Sequence, residues 1–485
     1  MKVLLLELNE INWRLLDPLI AKGALPAFSF LKERGAYGTT VSIDEGDLLD
    51  PWITWTTVYT GKSQEGHGVL FLEQPPETIR AKRIWEVAEE SGLSIGVYGS
   101  LNSWPPRPVK GFWVPGTFAQ DPETFPKKLQ PIQELNLKYT RGYNYGAFRS
   151  EDGLLGKAAM GMRLAMLGLR LSTALETLVH LTKERFDSKI AWKRVGFQPL
   201  INFDIFVRLL RKYQPALATF HTNHVAHYQH LYWRAMQPDV FPDAPLPEER
   251  KVYQGAIEHG YRIADRILSQ ALDAIDGETV LIVASSMGQQ PYINPSFASG
   301  KRLLRLRSFE TIIDFLGLEG QIRVVPTMAD QFNIYAVTQE VLEVVARIFT
   351  GAYIETPAQP MFYTQRTGNS LTVCVRQFNG VSEHSVCHFP HNGGTKQARF
   401  GDLVEVFSHA KSGCHHPEGL LLAYGPSVRP GALPKEVSTL DLAPTILTLL
   451  GVPVPHDMKG MIIPQLIGND AKSVLRSQIT RSSIN

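Results

Sequence analysis

Four histidines, His221, His224, His227 and His230, recur at three-residue intervals around Asn223. Imidazole nitrogen suits zinc, which often takes three protein ligands and keeps one position open. On a helix each three-residue step falls about 60° short of a full turn, so the four rings cannot all face one ion. Two readings stay open: a subset ligates a metal, or the rings hydrogen-bond substrate and loop backbone without one. Glu7 and Glu10 flank Asn9 at the end of an apolar run. A carboxylate there is costly to bury, and it serves as ligand or general base, or as a helix cap or salt-bridge partner. Trp52 and Trp55 share a helical spacing that fits stacking on a sugar or base as well as core packing. His384, His388 and His391 with Gly393, Gly394, Lys396 and Arg399 form a stretch that reads as an anion cradle or as an ordinary loop.

Positioning such groups falls to an alternation of strands and helices. Val3 to Leu8 is a continuous apolar strand, followed by a helix from Trp13 to about Lys22. Helix then strand recurs at Arg80–Ser91 and Leu93–Tyr98, at Phe203–Tyr213 and Ala216–Phe220, and at Tyr261–Ile275 and Thr279–Ala284. This pattern predicts an α/β fold with a mostly parallel sheet covered by helices on both faces. Ligands of such sheets gather beyond the carboxyl ends of the strands.

The chain has 485 residues, 44% of them hydrophobic, enough for a large core. Its 49 Lys plus Arg against 47 Asp plus Glu exert no general pull on nucleic acid or anionic lipid. Three cysteines without a CxxC spacing imply neither a disulfide framework nor a cysteine zinc knuckle, and point to a reducing, cytoplasmic setting. The opening apolar run meets Glu7 too early for a signal segment. We expect one domain over 1–485 with a cap insertion at 105–196 and a second insertion at 291–379. Within the cap, the apolar stretch Leu154 to Leu181 carries Lys157, Arg163 and Arg170, which exclude a transmembrane span. Of its two readings, a buried cap helix is expected over a helix resting on a membrane surface.

Several segments carry a resemblance. Leu8 to Trp13 with Leu15 to Ile20 and Gly23 to Pro26, then Thr60-Gly61-Lys62-Ser63 with Glu65 and His67-Gly68-Val69, lie near the start. Gly413-Cys414-His415 with Gly419 to Pro426, Leu440 to Leu447, Gly451 to Pro455 and Met458-Lys459-Gly460 follow near the end. In this order they resemble the alkaline phosphatase superfamily, in particular its type I phosphodiesterase and nucleotide pyrophosphatase branch. The resemblance implies an alkaline phosphatase-like fold and a centre in which two metal ions bound by Asp and His serve a Thr or Ser nucleophile.

The residues at the matched positions are altered. Asn9 stands where the first Asp is expected, and Pro51 stands where the nucleophile is expected. Thr54 is the nearby hydroxyl that a shifted loop would present. The Asp-x-x-x-His pair falls on Asn223 and His227, and the Asp-His-Gly turn falls on Ser285-Ser286-Met287. The last His survives as His415. Two dications about 4 Å apart repel by about 4 kcal/mol per unit pair at an effective dielectric of 20, and the carboxylates that would offset this are missing. The expectation is therefore at most one divalent ion, zinc or manganese, held by His227, His415 and Asn223 with either His224 or His230. Glu10 and Thr54 are the catalytic candidates; Asn9, Ser285, Ser286, His230 and Trp52 are the substrate-binding ones. Two functions follow. One is a metal-assisted hydrolase or transferase acting on a small phosphate ester, such as a nucleotide-sugar or glycan phosphate. The other is a catalytically silent protein that binds an anionic or carbohydrate ligand in the inherited crevice.

Overall fold

The computed structural model describes residues 1–72, 74–141, 154–294, 300–326, 331–378, 380–391 and 393–468. Parts of both expected insertions, 142–153, 295–299, 327–330 and 379, lie outside the described residues. In chain order, the elements that build the site are β1 (Lys2–Leu8), β2 (Ala36–Gly38), α1 (Pro51–Thr60), β3 (Ile95–Tyr98), β4 (Gly111–Val114), α2 (Leu154–Leu167), α3 (Leu171–Phe186) and α4 (Phe197–Tyr213). They continue with β5 (Leu217–Thr222), α5 (His224–Met236), α6 (Ala256–Ala274), β6 (Thr279–Ala284), β7 (Gly288–Pro291), β8 (Gly413–His416), β9 (Leu421–Tyr424), β10 (Gly431–Ala432) and α7 (Leu442–Leu449).

The sheet runs β10-β2-β9-β6-β1-β5-β3-β4, and β9 alone opposes the direction of the rest. The expected mostly parallel α/β architecture is the one observed. β1 lies between β5 and β6, which explains its unbroken apolar run: a central parallel strand is covered on both faces. Leu4, Leu6 and Leu8 join the core beneath α4, α5 and α6, while Val3 and Leu5 join the core beneath α1 and α7. Each such buried leucine contributes about 2 kcal/mol relative to exposure. Because side chains alternate, Glu7 falls on the α1 face, and the chain leaves the sheet with Asn9 and Glu10 at its carboxyl edge.

Residues 301–411 build a further apolar cluster around two four-stranded antiparallel sheets. The pair Lys301–Leu306 and Val404–Lys411 connects this body to β8.

The stretch expected as one buried cap helix differs in two ways. It is two helices, α2 and α3, joined through Gly168, whose φ of 127° suits glycine. Many of their apolar side chains face outward rather than into a core. The inward face of α3 carries Thr173, Thr177 and His180 instead. Among the described residues no helix is long and apolar enough to cross a membrane.

Candidate metal centre

Glu10 sits in the left-handed region, with φ at 63°. A non-glycine residue there is sparsely populated and persists only when its surroundings hold it. Gln229 of α5 supplies part of that hold by donating its side-chain amide to the Glu10 carbonyl at 2.8 Å. The turn delivers the Glu10 carboxylate, buried, to two imidazoles. His230 Nε2 of α5 lies 3.3 Å from Oε2, and His415 Nε2 of β8 lies 3.6 Å from Oε1. Gln289, one residue into β7, donates its amide to Oε2 as well.

Register brings these strands together. β7 pairs antiparallel with β8, with His415 opposite Gln289. Gly413 permits the close approach, since a Cβ there would overlap the Gln289 side chain and the Gln229 carbonyl. Its own carbonyl then orients His230, whose Nδ1 lies 2.9 Å away. A carbonyl only accepts, so Nδ1 carries the proton and Nε2 is the atom offered to Glu10. His415 is oriented likewise: its ring hydrogen-bonds the Leu49 main chain, and its Nδ1 lies 3.4 Å from Asp50 Oδ1. The donor atoms of Glu10, His230 and His415 all lie within 4.8 Å of one another.

Electrostatics follow from this packing. Burial opposes ionisation of Glu10, yet the charges and hydrogen bonds of His230, His415 and Gln289 hold its pKa at about 2. Burial drives the His415 ring down to about 4, more than Glu10 can restore, so its Nε2 presents a lone pair at neutral pH. A lone pair facing a carboxylate is repelled unless a proton or a cation lies between them. Two imidazoles, one oriented by the Gly413 carbonyl and the other beside the Asp50 carboxylate, together with the Glu10 carboxylate are a donor set that fits a divalent ion of the zinc type.

Beside this cluster lies a neutral network. Asn9, buried, accepts from Trp55 Nε1 at 2.7 Å and donates to Asn223 Oδ1 at 2.6 Å and to Glu10 Oε1 at 3.0 Å. Thr54 and Ser286, both fully buried, share a hydrogen bond of 2.8 Å. Ser285 donates to the Met287 carbonyl at 2.6 Å. Behind it, Glu7 accepts from Tyr59 at 2.5 Å and Ser100 at 2.8 Å, with His221 Nδ1 at 3.1 Å.

These positions correct much of the expected site. His224 is no ligand: its ring nitrogens reach Thr222 Oγ1 at 2.9 Å and the Gly260 carbonyl at 3.1 Å, tying α5 to α6, and burial pushes its pKa down to about 3. His227 packs edge-on against Tyr228 and contributes no donor to the Glu10 cluster, while Asn223 caps α5 beside Asn9. Of the expected metal ligands the cluster holds His415 and His230, and Glu10, expected as a catalytic residue, is the third donor of the cluster. Thr54 is fully buried in the first turn of α1, where its hydroxyl meets Ser286. Asn9, Ser285 and Ser286 are likewise buried and hydrogen-bonded to protein partners. Trp52 stays half-buried, donating to the Leu70 carbonyl at 3.2 Å, and Trp55 is a core residue stacked on Tyr59. The stretch around His388 is a hairpin in the 301–411 body, where His388 stacks on Tyr353.

Sequence reading missed Asp50 and Gln289. Asp50, the residue before Pro51 at the start of α1, is half-buried against His415, and burial lifts its carboxyl to about 7 against the pull of Lys411 and Lys301. The signal was present, since an Asp before Pro marks a helix start. Nothing about Gln289 in the sequence singles it out.

No protein-family model matches this chain, and no curated protein matches it. Among solved structures it is similar to murine ectonucleotide pyrophosphatase/phosphodiesterase 5, at 13% identity over 96% of this chain and 100% of that one, with a TM-score of 0.40. The human counterpart is 14% identical over 96% and 100%, with a TM-score of 0.42. Phosphonoacetate hydrolase from Sinorhizobium meliloti, in complex with phosphonoformate, is 15% identical over 93% and 95%, with a TM-score of 0.38. Identities and scores this low carry no argument about the chemistry of the site, which rests on its own geometry.

Proposed function

We propose that the chain is a one-metal hydrolase or transferase acting on a small phosphate ester, with Glu10, His230 and His415 as the ligands of a zinc or manganese ion. The observation that carries this reading is the convergence of two imidazole Nε2 atoms on one buried carboxylate, each ring oriented by a main-chain partner. Bound there, the ion would supply Lewis acidity toward a phosphoryl oxygen and lower the pKa of a coordinated water.

The chain's own residues set the rest. Gln289 and the Asn9 amide fix the Glu10 carboxylate so that its oxygens stay turned toward the imidazoles. Asp50, half-buried at the His415 side, is the carboxyl placed to exchange a proton with water or a leaving group. With Pro51 at the matched nucleophile position and Thr54 buried, attack by water or an acceptor replaces a covalent phospho-enzyme. The substrate class comes from the sequence resemblance. Turnover of bis(p-nitrophenyl) phosphate by protein reconstituted with zinc or manganese tests the reading. We expect activity that His415→Ala and Asp50→Asn both abolish; activity that survives in both variants contradicts it.

A second reading is favoured by the neutral network. Asn9, Asn223, Ser285 and Ser286 stand neutral where the resemblance expects charged metal ligands, which suits a protein that holds an anionic or carbohydrate ligand without turning it over. Metal bound at one equivalent, with no hydrolysis of any phosphodiester offered, would select it.

A further inference from the structure

We propose that α2 and α3 dock the protein on an anionic phospholipid membrane. Helix α3 is amphipathic in the reverse sense for a soluble protein. Thr173, Thr177 and His180 face the body of the protein, and Leu171, Leu175, Leu178, Val179 and Phe186 face outward. These five share one face, at the three-to-four-residue steps of a helical stripe. Leu171 is 74% exposed and Phe186 88% exposed, and Met162 and Met166 are exposed on α2. A contiguous apolar face of this kind marks a surface that is covered in use.

Its surroundings identify the cover. Arg163 on α2, Lys183 and Arg185 at the end of α3, and Lys189 in the turn that follows it, are exposed and form no ion pair among the described residues. The acidic residues of the same stretch are already engaged: Glu176 with Arg266, Glu184 with Arg194, and Asp187 as the cap of the following turn. Where α2 meets α3, a cavity of about 360 Å³ opens onto Arg170, Arg208, Arg211 and Asp204. Asp204 offsets Arg170, its Oδ1 lying 3.4 Å from the Arg170 Nε. That leaves Arg208 and Arg211 of α4 facing the cavity without an acidic partner among the described residues. Farther along, Lys212 stands close enough to Lys128 to hold its ammonium below the ordinary range, with Arg208 adding to the effect. Cations crowded beside an apolar helical face match the polar and acyl layers of a bilayer that carries negative headgroups. Leucine, methionine and phenylalanine enter the acyl boundary, and arginine and lysine reach the phosphates. The overall charge of the chain, near neutral, hides this local excess.

Co-sedimentation of the full-length protein with vesicles tests the inference. We expect binding to phosphatidylcholine vesicles containing an anionic phospholipid that exceeds binding to pure phosphatidylcholine by at least about tenfold and weakens with salt. Leu175→Ser with Leu178→Ser and Phe186→Ser, and separately Arg208→Glu with Arg211→Glu, should each reduce it by about tenfold or more. All five positions are exposed, and unchanged thermal unfolding of the variants will show that the fold is intact. Absence of binding to anionic vesicles, or binding that both variants retain, would overturn the proposal. So would a wild-type dimer in solution that the leucine variant converts to monomer, because the face would then be covered by a second copy. Metal binding enters none of these readouts, so the outcome is separate from the fate of the Glu10 centre.

Discussion

At the carboxyl end of β1, Glu10 turns to two imidazoles and its neighbour Asn9 turns to an indole and an amide. One half of the crevice gathers a buried carboxylate and two imidazoles whose Nε2 atoms face it. The other half pairs neutral side chains with one another: Trp55 donates to Asn9, Asn9 to Asn223, and Thr54 shares a hydrogen bond with Ser286. A low-dielectric site tolerates charge only where opposite charge answers it. Adjacent residues on one turn therefore separate a charged half, the candidate metal site, from a neutral half.

The strongest way to break this comparison is to put charge back in the neutral half. Asn9→Asp would set a second carboxylate about 3 Å from Glu10 Oε1, a repulsion of about 5 kcal/mol at an effective dielectric of 20. We expect a large loss of stability in metal-free protein, recovered by added zinc, with the thermal shift on zinc addition larger than in wild type. Next in size is removal of a ligand from the charged half. His230→Ala or His415→Ala should weaken zinc affinity by at least about 100-fold in competition with a chromogenic chelator, while His224→Gln leaves it unchanged. Trp55→Phe strips the donor from Asn9 Oδ1 and should destabilise by about 1–3 kcal/mol in urea titrations without altering zinc affinity.

The fold was legible where burial alone dictates pattern. β1 and β6 read as continuous apolar runs because a central parallel strand has no solvent face, and Thr279–Ala284 was bounded correctly. The cap was not, because Leu171, Leu175 and Leu178 have the composition of a core helix while facing outward, and periodicity does not say which side of a helix is inside. Of the site, His230 and His415 were visible as residue types. That Glu10 completes them depends on one left-handed residue and on a strand pairing across more than a hundred residues, neither of which spacing in sequence reveals. His224 was misassigned because a histidine bonded to Gly260 and one bonded to a metal look alike in sequence.

Acid exposes the same division at smaller amplitude. His224 and His259 are held neutral by burial, with pKa values of about 3 and about 4 against 6.5 when unfolded. Their folded values are depressed, so the stability they leave intact above pH 6.5 is lost progressively as pH falls toward those values. Each should add up to about 1.4 kcal/mol per pH unit to that slope. Urea midpoints measured between pH 7 and pH 5 should fall, and His224→Gln should flatten the slope. The smallest effect belongs to Thr54→Val, which removes one buried hydrogen bond to Ser286. It should cost about 1 kcal/mol and leave phosphodiester turnover unchanged.

The division of the crevice is tested most directly by counting ions. Protein purified without chelator, dialysed and analysed by mass spectrometry for zinc and manganese, should hold one equivalent per chain, and Glu10→Gln should hold none. Two equivalents in the wild type, or one that survives Glu10→Gln, would contradict the account.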